Sequence, residues 1–559
     1  MSKITFFPLG GMDENEKACY VLEVDGSYYL INLGISVPVY KTLGIKKVIP
    51  YMEWVKKNEK NIKGIFIGNA SHRNIGAIQY CYNYIKNIPI YTSKLGEVIL
   101  KAHFNKKSMI KYPDFKSLQI RVINPLKPLN LDKISVTPFR VTTSLPDTYG
   151  FIISTGEENI IYIDEFIISN NGANGAFVND INKLPLLTYK QNNMLLINNI
   201  GNVDKYSGFT SPNYKTKSFY KELLTRTNDK RLIVACYYHD VHTFLTLAQI
   251  AKERQIPFII YNPIFINVFN EIVNNKYFDS TNLPILPINK INQIEKGIVV
   301  VSSTPDRLFN KLLSISNNED NILTLKKTDT VVLGFKIESG FEKAQAEILD
   351  AFAQIDINVT TIPKTVLSME ASEEDHKYLV SLIKPKYIIP TLGLYYQMMK
   401  YSNSLKDIGY KPENVITMYN GEIANFNNSV YSPGKKRTDI HEMYVGSQGI
   451  LSEGDNIFQE RKIMSESGIV FCVMKYDEKN QIFTKDNFEL IPYAVLPDEK
   501  EAENFFEKLK ENTINLANDS IKSVKKFDSK ELKTVIKKFI SKQIDKTYEK
   551  SPIVIVSIC

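Results

Sequence analysis

From about residue 209 the chain repeats one phrase, a short continuous run of apolar strand formers followed by a stretch with helical spacing. RLIVACYY leads into a helical Val241 to Gln255, PFIIYNP into another helical stretch, and GIVVVSS (Gly297 to Ser303) and TVVLGF continue the series. Runs that are apolar throughout need cover on both faces, and their alternation with helices predicts a parallel sheet with crossover connections. A helix near Phe341 to Ile355 then leads into a second alternating stretch that ends in KYIIPTLG, Lys386 to Gly393. The class is α/β.

The first 200 residues obey a looser version of the same rule. Tyr20 to Val24, the pair Asp25-Gly26, and Tyr28 to Ile31 form an apolar run, a two-residue turn and a second run, which predicts a hairpin. Strand-like runs follow at Ile65 to Ile67, Ile88 to Thr92, Ile160 to Ile163 and Met194 to Ile197, with a helix-like segment at Asn74 to Ile85. These predict α/β layers on a mixed sheet. The Asn-, Ser-, Pro- and Gly-rich stretch from Tyr419 to Lys436 reads as a linker. Beyond it, Asp498-x-x-Glu501 and Asp528-x-x-Glu531 have capping-box spacing before helical patterns, and the chain ends in PIVIVSI, a strand pattern. A small α/β C-terminal domain is expected.

Length and composition fit several such domains: 559 residues, 43% hydrophobic and 23% charged, exclude disordered and fibrous classes. The net charge of +8 describes a mildly basic surface that permits an acidic partner such as RNA without requiring one. Five scattered cysteines, with no CxxC, argue against a disulfide framework or a thiolate zinc site and for a reducing compartment. MSKITFFPLGG has too short an apolar run for a signal peptide, and no later run approaches a membrane span. The expected location is the cytoplasm, with no membrane anchor.

Several phrases occur in one order. They are Leu9 to Glu14 (LGGMDE), Leu30 to Gly34 (LINLG), Leu43 to Pro50 (LGIKKVIP), Ile67 to Ala77 (IGNASHRNIGA), Ser144 to Thr148 (SLPDT), Gly208-Phe209-Thr210, and Leu382 to Tyr387 (LIKPKY). Together with Gly449 to Gly454 and Arg461 to Gly468 they resemble ribonuclease J, a metallo-β-lactamase-fold nuclease, over nearly the whole chain. The resemblance implies a metallo-β-lactamase αββα sandwich with an inserted β-CASP α/β domain and a small α/β C-terminal domain. The expected boundaries are 1–208 and 366–430 for the two parts of the sandwich, 209–365 for the insertion, 431–450 for a linker and 451–559 for a C-terminal assembly domain.

Members of that family are metal-dependent 5′-to-3′ exoribonucleases, some also endonucleases, in RNA decay and ribosomal RNA maturation. Two zinc ions held by an H-x-H-x-D-H loop and by further His and Asp residues generate a hydroxide nucleophile and clamp the phosphate. Aligned on Ile75-Gly76, the four ligand positions of that loop hold Asn69, Ser71, Arg73 and Asn74, and His72 falls between them. Thr143 stands for the next histidine, Glu165 or Asp164 for the bridging aspartate, and Leu392 for the late histidine. Asn32 replaces the family's usual acidic residue, and the H-x-S-G-H phosphate phrase has become Val366 to Glu370 (VLSME), where Glu370 would repel a scissile phosphate. The expectation is that the two-zinc site is lost, with no cofactor and no catalytic residue.

Other residues carry weaker signals. His239 and His242 have a spacing that suits a metal on one helical turn. The resemblance places His242 at an RNA-facing position, and both also read as domain-interface histidines. Thr210, Ser368 and Ser372 are candidate phosphate donors and Tyr395 and Tyr396 candidate base-stacking surfaces, against the plainer readings of capping hydroxyls and sheet-edge packing. Lysines from Lys522 to Lys550 read as a solvated helix face, and Phe505, Phe506 and Leu509 as core. The favoured expectation is a non-catalytic, RNA-binding or structural subunit that assembles as a homo- or hetero-dimer or tetramer with an active ribonuclease J paralogue. The alternative is a nuclease with a residual or rearranged metal site built from Glu165, Asp164, Asp147 and His72.

Overall fold

A computed structural model describes residues 2–38, 44–104, 117–168, 177–201, 203–204, 208–210, 214–337, 340–363, 366, 369–434, 438–446, 449–451, 457–495, 499–522 and 529–559. Among these the chain forms two compact units, Met1–Leu451 and Ser452–Cys559.

The first unit is built on two stacked sheets. One runs, edge to edge, Val430–Pro433, Ala424–Asn427, Ile4–Gly10, Cys19–Val24, Ser27–Ile31, Ile62–Ile67, Ile90–Thr92 and Ile120–Val122. The other runs Tyr387–Thr391, Asn192–Asn199, Glu158–Ile163, Thr148–Ser154, Ile134–Val141 and Leu129–Leu131. The period-2 alternation of strand side chains decides what each face meets. On Ile4–Gly10, Phe7 and Leu9 share a core with Met52 and Val55 of the helix Met52–Asn58. Ile4 and Phe6 face Phe139, Phe151 and Ile153 of the second sheet. The second sheet is covered in turn by Leu379, Val380 and Ile383 of the helix Glu373–Ile383. Helix, sheet, sheet, helix is the αββα sandwich that the resemblance implies.

The regular strand–helix phrase folds as a five-stranded, all-parallel sheet in the order Phe258–Ile260, Ile298–Ser303, Leu232–Tyr237, Thr330–Leu333, Asn358–Thr361. LIVACY is buried throughout because both faces are covered. Val234 and Cys236 pack with Phe244 and Leu247 of the helix Val241–Arg254, and Ile233 and Ala235 with Leu308, Leu312, Ile348 and Phe352. The chain then returns to the sandwich. Tyr387–Thr391 pairs in parallel with Asn192–Asn199, and Ala424–Asn427 pairs antiparallel with Ile4–Gly10.

Two local expectations differ from the structure. Asn74 to Ile85 is not one helix but two single turns, His72–Ile75 and Tyr82–Ile85, with Ala77 between them donating its N–H to Leu33 O. Residues 431–450, expected as a linker, belong to the first unit. Val430–Pro433 forms a hairpin with Ala424–Asn427 through Asn428 and Ser429, both at positive φ, and Met443–Gly446 pairs with Lys47–Ile49. Residues that tolerate left-handed backbone make a tight hairpin turn here, so the turn-rich composition marks pairing and not loose chain.

In the second unit the strands Ile482–Tyr493, Ile469–Asp477 and Ile553–Ile558 form a sheet covered by the helices Glu499–Lys522 and Ser529–Tyr548. Leu532, Ile536, Ile540 and Ile544 recur every fourth residue on the buried stripe, and Phe506 and Leu509 join them. Asp498 and Asp528, the expected caps, lie outside the described residues. All five cysteines are unpaired, four of them buried. No described helix is long and apolar enough to cross a membrane.

Candidate functional site

The parallel strands of both sheets end on one rim, where an α/β sheet usually presents its chemistry. Asn32, Asn69, Asp164-Glu165 and Leu392 lie within two residues of the ends of the strands that deliver them, and Asn199 is the last residue of its own. The loop after Ile62–Ile67 is pinned by backbone. Ala18 N–H donates to Arg73 O at 3.0 Å and Leu33 N–H to Asn74 O at 2.7 Å. Gly34 lies so close beneath that a Cβ there would sit 1.6 Å from Arg73 O, which is why this position takes no side chain.

The polar side chains at the positions where the resemblance places metal ligands are hydrogen-bonded or paired within the protein. The Arg73 guanidinium stands 2.8 Å from Glu165 Oε1 and 3.3 Å from Glu370 Oε1. Glu370 also pairs with Lys336, which extends from the end of the inserted sheet's strand Thr330–Leu333. Asn69 Nδ2 donates to Glu165 Oε2 at 3.3 Å. Asn74 Nδ2 donates to Asp164 Oδ2 and, at 3.1 Å, to Ser71 Oγ, while Asn199 Nδ2 donates to Asp164 Oδ1 at 3.1 Å. Asn32, with φ of +64°, donates to Asn74 Oδ1 at 3.0 Å and to the Tyr162 hydroxyl at 2.7 Å.

Thr143 is turned onto its own loop, its hydroxyl donating to Leu145 O at 2.9 Å and accepting from Leu145 N–H at 3.0 Å. Leu392 is buried in the sandwich core and keeps a φ of +52°, a left-handed conformation that is strained for leucine and is held by its N–H donating to Gly11 O.

Burial dominates the electrostatics. It pushes the Glu165 carboxyl up to about 7; the Arg73 charge opposes this and the neighbouring Glu370 and Asp164 add to it. Burial likewise raises Asp164, against Arg73 and its two amide donors. His72 Nε2 lies 3.2 Å from Glu16 Oε1. Burial alone would raise Glu16, yet the hydrogen bond and charge of His72 and the Val37 N–H bring it below the usual range.

This donor set does not fit two zinc ions. Amides, hydroxyls and an aliphatic side chain occupy the ligand positions, and a guanidinium already balances the carboxylates. Among the described residues no three of His, Cys, Asp and Glu converge as a metal-holding group. The alternative set does not assemble either. Asp147 accepts from the hydroxyls of Tyr149 at 2.8 Å and Tyr277 at 2.9 Å and lines a separate cavity of about 250 Å³, while His72 is held by Glu16.

The weaker candidates separate in the same way. His239 packs against the His72 ring at 5.5 Å, whereas His242 sits edge-on to Phe177, so the two histidines do not face a common point. Thr210 and Ser372 are buried. The Thr210 hydroxyl donates to Glu370 O at 2.9 Å, and Asp375 accepts from the N–H of Thr210 and of Ser372, each at 2.9 Å. Ser372 is the N-cap of the helix Glu373–Ile383, and the buried Thr210 is tied to that same turn through Glu370 O and Asp375. The expected repulsion by Glu370 is altered, because its charge is met by Arg73 and Lys336. Ser368 lies outside the described residues. Tyr395 and Tyr396 are exposed. Lys336 was missed because nothing local in TVVLGFK marks a partner more than thirty residues away.

Burial alone lowers His242 from 6.5 to about 4. Its folded-state affinity for a proton is depressed, so the unfolded chain takes up that proton first and stability is lost as pH falls from 6.5 toward 4. Replacing it with phenylalanine is expected to make the first unit more resistant to acid, by about 2 kcal/mol at pH 4.5, and to leave RNA affinity unchanged. Urea titrations at pH 4.5 and 7.5 with a parallel RNA-binding assay check both; weaker RNA binding would restore the expected contact.

The family described as the ribonuclease J C-terminal domain matches residues 456–559. Over 568 aligned residues, covering 100% of both chains, the sequence is 36% identical to the uncharacterized protein MG423 of Mycoplasma genitalium. It is 34% identical to the MG423 homolog of Mycoplasma pneumoniae, again over 100% of both. Ribonuclease J 2 of Staphylococcus saprophyticus is 24% identical over 86% of this chain and 84% of its own. Among solved structures, a protein of unknown function from Enterococcus faecalis V583 superposes with a TM-score of 0.53 at 12% identity, over 76% of this chain and 100% of that one. That last likeness concerns the fold alone.

Proposed function

The chain belongs to the ribonuclease J family, and on that premise we propose that it is a non-catalytic member, an RNA-binding or structural subunit that partners an active ribonuclease J in cytoplasmic RNA processing and decay. The observation that carries this reading is the Arg73 guanidinium, 2.8 Å from Glu165 and bonded also to Glu370, in the loop where the family's motif places its metal ligands. Two-metal hydrolysis needs a cation that is a Lewis acid and delivers a hydroxide. A guanidinium balances the same carboxylates but does neither, because it has no vacant orbital and does not ionise water. The retained rim, with its strained backbone at Leu392, supports descent from a catalytic site. A protein that keeps its interfaces after losing its chemistry still contributes stability or binding surface to an assembly.

The test is to purify the chain alone and together with an active ribonuclease J from the same organism. Bound zinc and degradation of 5′-monophosphorylated RNA are then measured on the same samples. The expected result is zinc well below one equivalent and no turnover alone, with altered activity or stability in the mixture. Stoichiometric zinc with processive degradation by the chain alone overturns the proposal.

A further inference from the structure

The helix Tyr395–Ser404 buries Met398, Tyr401 and Ser402, so its opposite face is the solvent face and is expected to be polar. Its first turns are apolar instead. Leu394 is 38% exposed, Tyr395 38%, Tyr396 61% and Met399 39%, and the 40%-exposed Tyr419 stacks on Tyr395 with centroids 5.2 Å apart and planes within 4°. A contiguous exposed patch dominated by tyrosine is a usual mark of a recognition surface.

Three carboxylates border the patch. Asp13 accepts from Tyr395 N–H at 2.8 Å, Glu422 from Tyr419 N–H at 2.9 Å, and Asp204 from Gln397 Nε2 at 3.0 Å and the Tyr396 hydroxyl at 3.4 Å. Lys400 also stands beside them, its ammonium donating to Asp204 O at 3.2 Å. Tyrosine faces bordered mainly by carboxylates disfavour a phosphate backbone and favour cations. We propose that this turn, with Tyr419, is a docking surface for a protein partner that presents arginine or lysine side chains amid apolar ones. The acidic rim steers the partner in, and the ring faces take up its desolvated cations. The surface rests on the reading of this chain as an assembly subunit and says where one contact is made.

The experiment uses the full chain and two fluorescent probes, a peptide of alternating arginine and leucine and a 5′-monophosphorylated oligouridylate. Wild type is compared with Tyr396→Ser and Met399→Lys, both at exposed positions where the fold tolerates change. The expected result is peptide binding that weakens about tenfold in each variant and with added salt, while oligouridylate binding is unchanged. Peptide affinity equal in wild type and variants, or no peptide binding, overturns the proposal. Loss of oligouridylate binding in the same variants also overturns it and assigns the face to nucleic acid. Neither readout depends on zinc content or RNA turnover, on which the proposed function stands or falls.

Discussion

Replacing Arg73 with methionine is expected to cost the first unit about 3–5 kcal/mol, which is what removing one partner of a buried ion pair typically costs. Arg73 is 13% exposed at its side chain and Glu165 4%, so solvent replaces little of the lost interaction. Lys336 still meets Glu370 in the variant, but Glu165 and Asp164 are left facing one another without the cation that both use. The loss also has a direction in pH. Glu165 already has a folded-state pKa raised from 4.5 to about 7, so its favourable contribution is complete below 4.5 and disappears as pH rises through 7. Without Arg73 that carboxyl rises further, and the deficit is expected to be small at pH 5 and large at pH 8. Urea denaturation at the two values, following the transition of the first unit, measures it. A variant as stable as wild type at pH 8 shows that the guanidinium is not the counter-charge of the site.

A second large effect is expected in the inserted sheet, far from any chemistry. Arg231 and Asp329 form an ion pair with both side chains fully buried. The guanidinium donates from Nε to Asp329 Oδ1 at 2.8 Å, from Nη1 to Ile291 O at 2.7 Å and from Nη2 to Thr324 O at 2.8 Å, tying three loops at the entry of two adjacent strands. Arg231→Met and Asp329→Ala are each expected to cost about 3–5 kcal/mol, because each leaves an uncompensated charge in the core. The double variant removes both charges and is expected to lose clearly less than the sum. Additive losses in a double-mutant cycle show that the two groups do not depend on one another.

Much of the architecture is legible along the chain because it is set by local periodicity. LIVACY and the Ile298 to Val301 run of GIVVVSS are apolar throughout, as a strand covered on both faces requires. The run Cys19–Val24, turn, Ser27–Ile31 carries its own hairpin signal. The same logic fails from Val430 to Ile450, where strands of two to four residues are too short to establish a period and the turn residues dominate composition. That Asn69, Ser71, Arg73, Asn74, Thr143 and Leu392 carry an amide, a hydroxyl, a guanidinium or an isobutyl group instead of the imidazole or carboxylate that suits zinc is also readable in the sequence.

How the residues at those positions pair with the rest of the chain is not readable in the sequence. Arg73, Glu165, Lys336 and Glu370 are spread over some 300 positions and brought together only when the strands of both sheets and of the insertion end at one rim. The sequence by itself determined the fold class and the core-facing residues of the long strands. Only the tertiary structure decided that Ser372 caps the helix Glu373–Ile383 while Thr210 bonds Glu370 O, that His239 and His242 face different neighbours, and that Arg73 and Lys336, far apart in the chain, pair with Glu165 and Glu370. Periodicity is a property of neighbouring residues, whereas charge pairing depends on distance in space, and a linear chain records the first and leaves the second to packing.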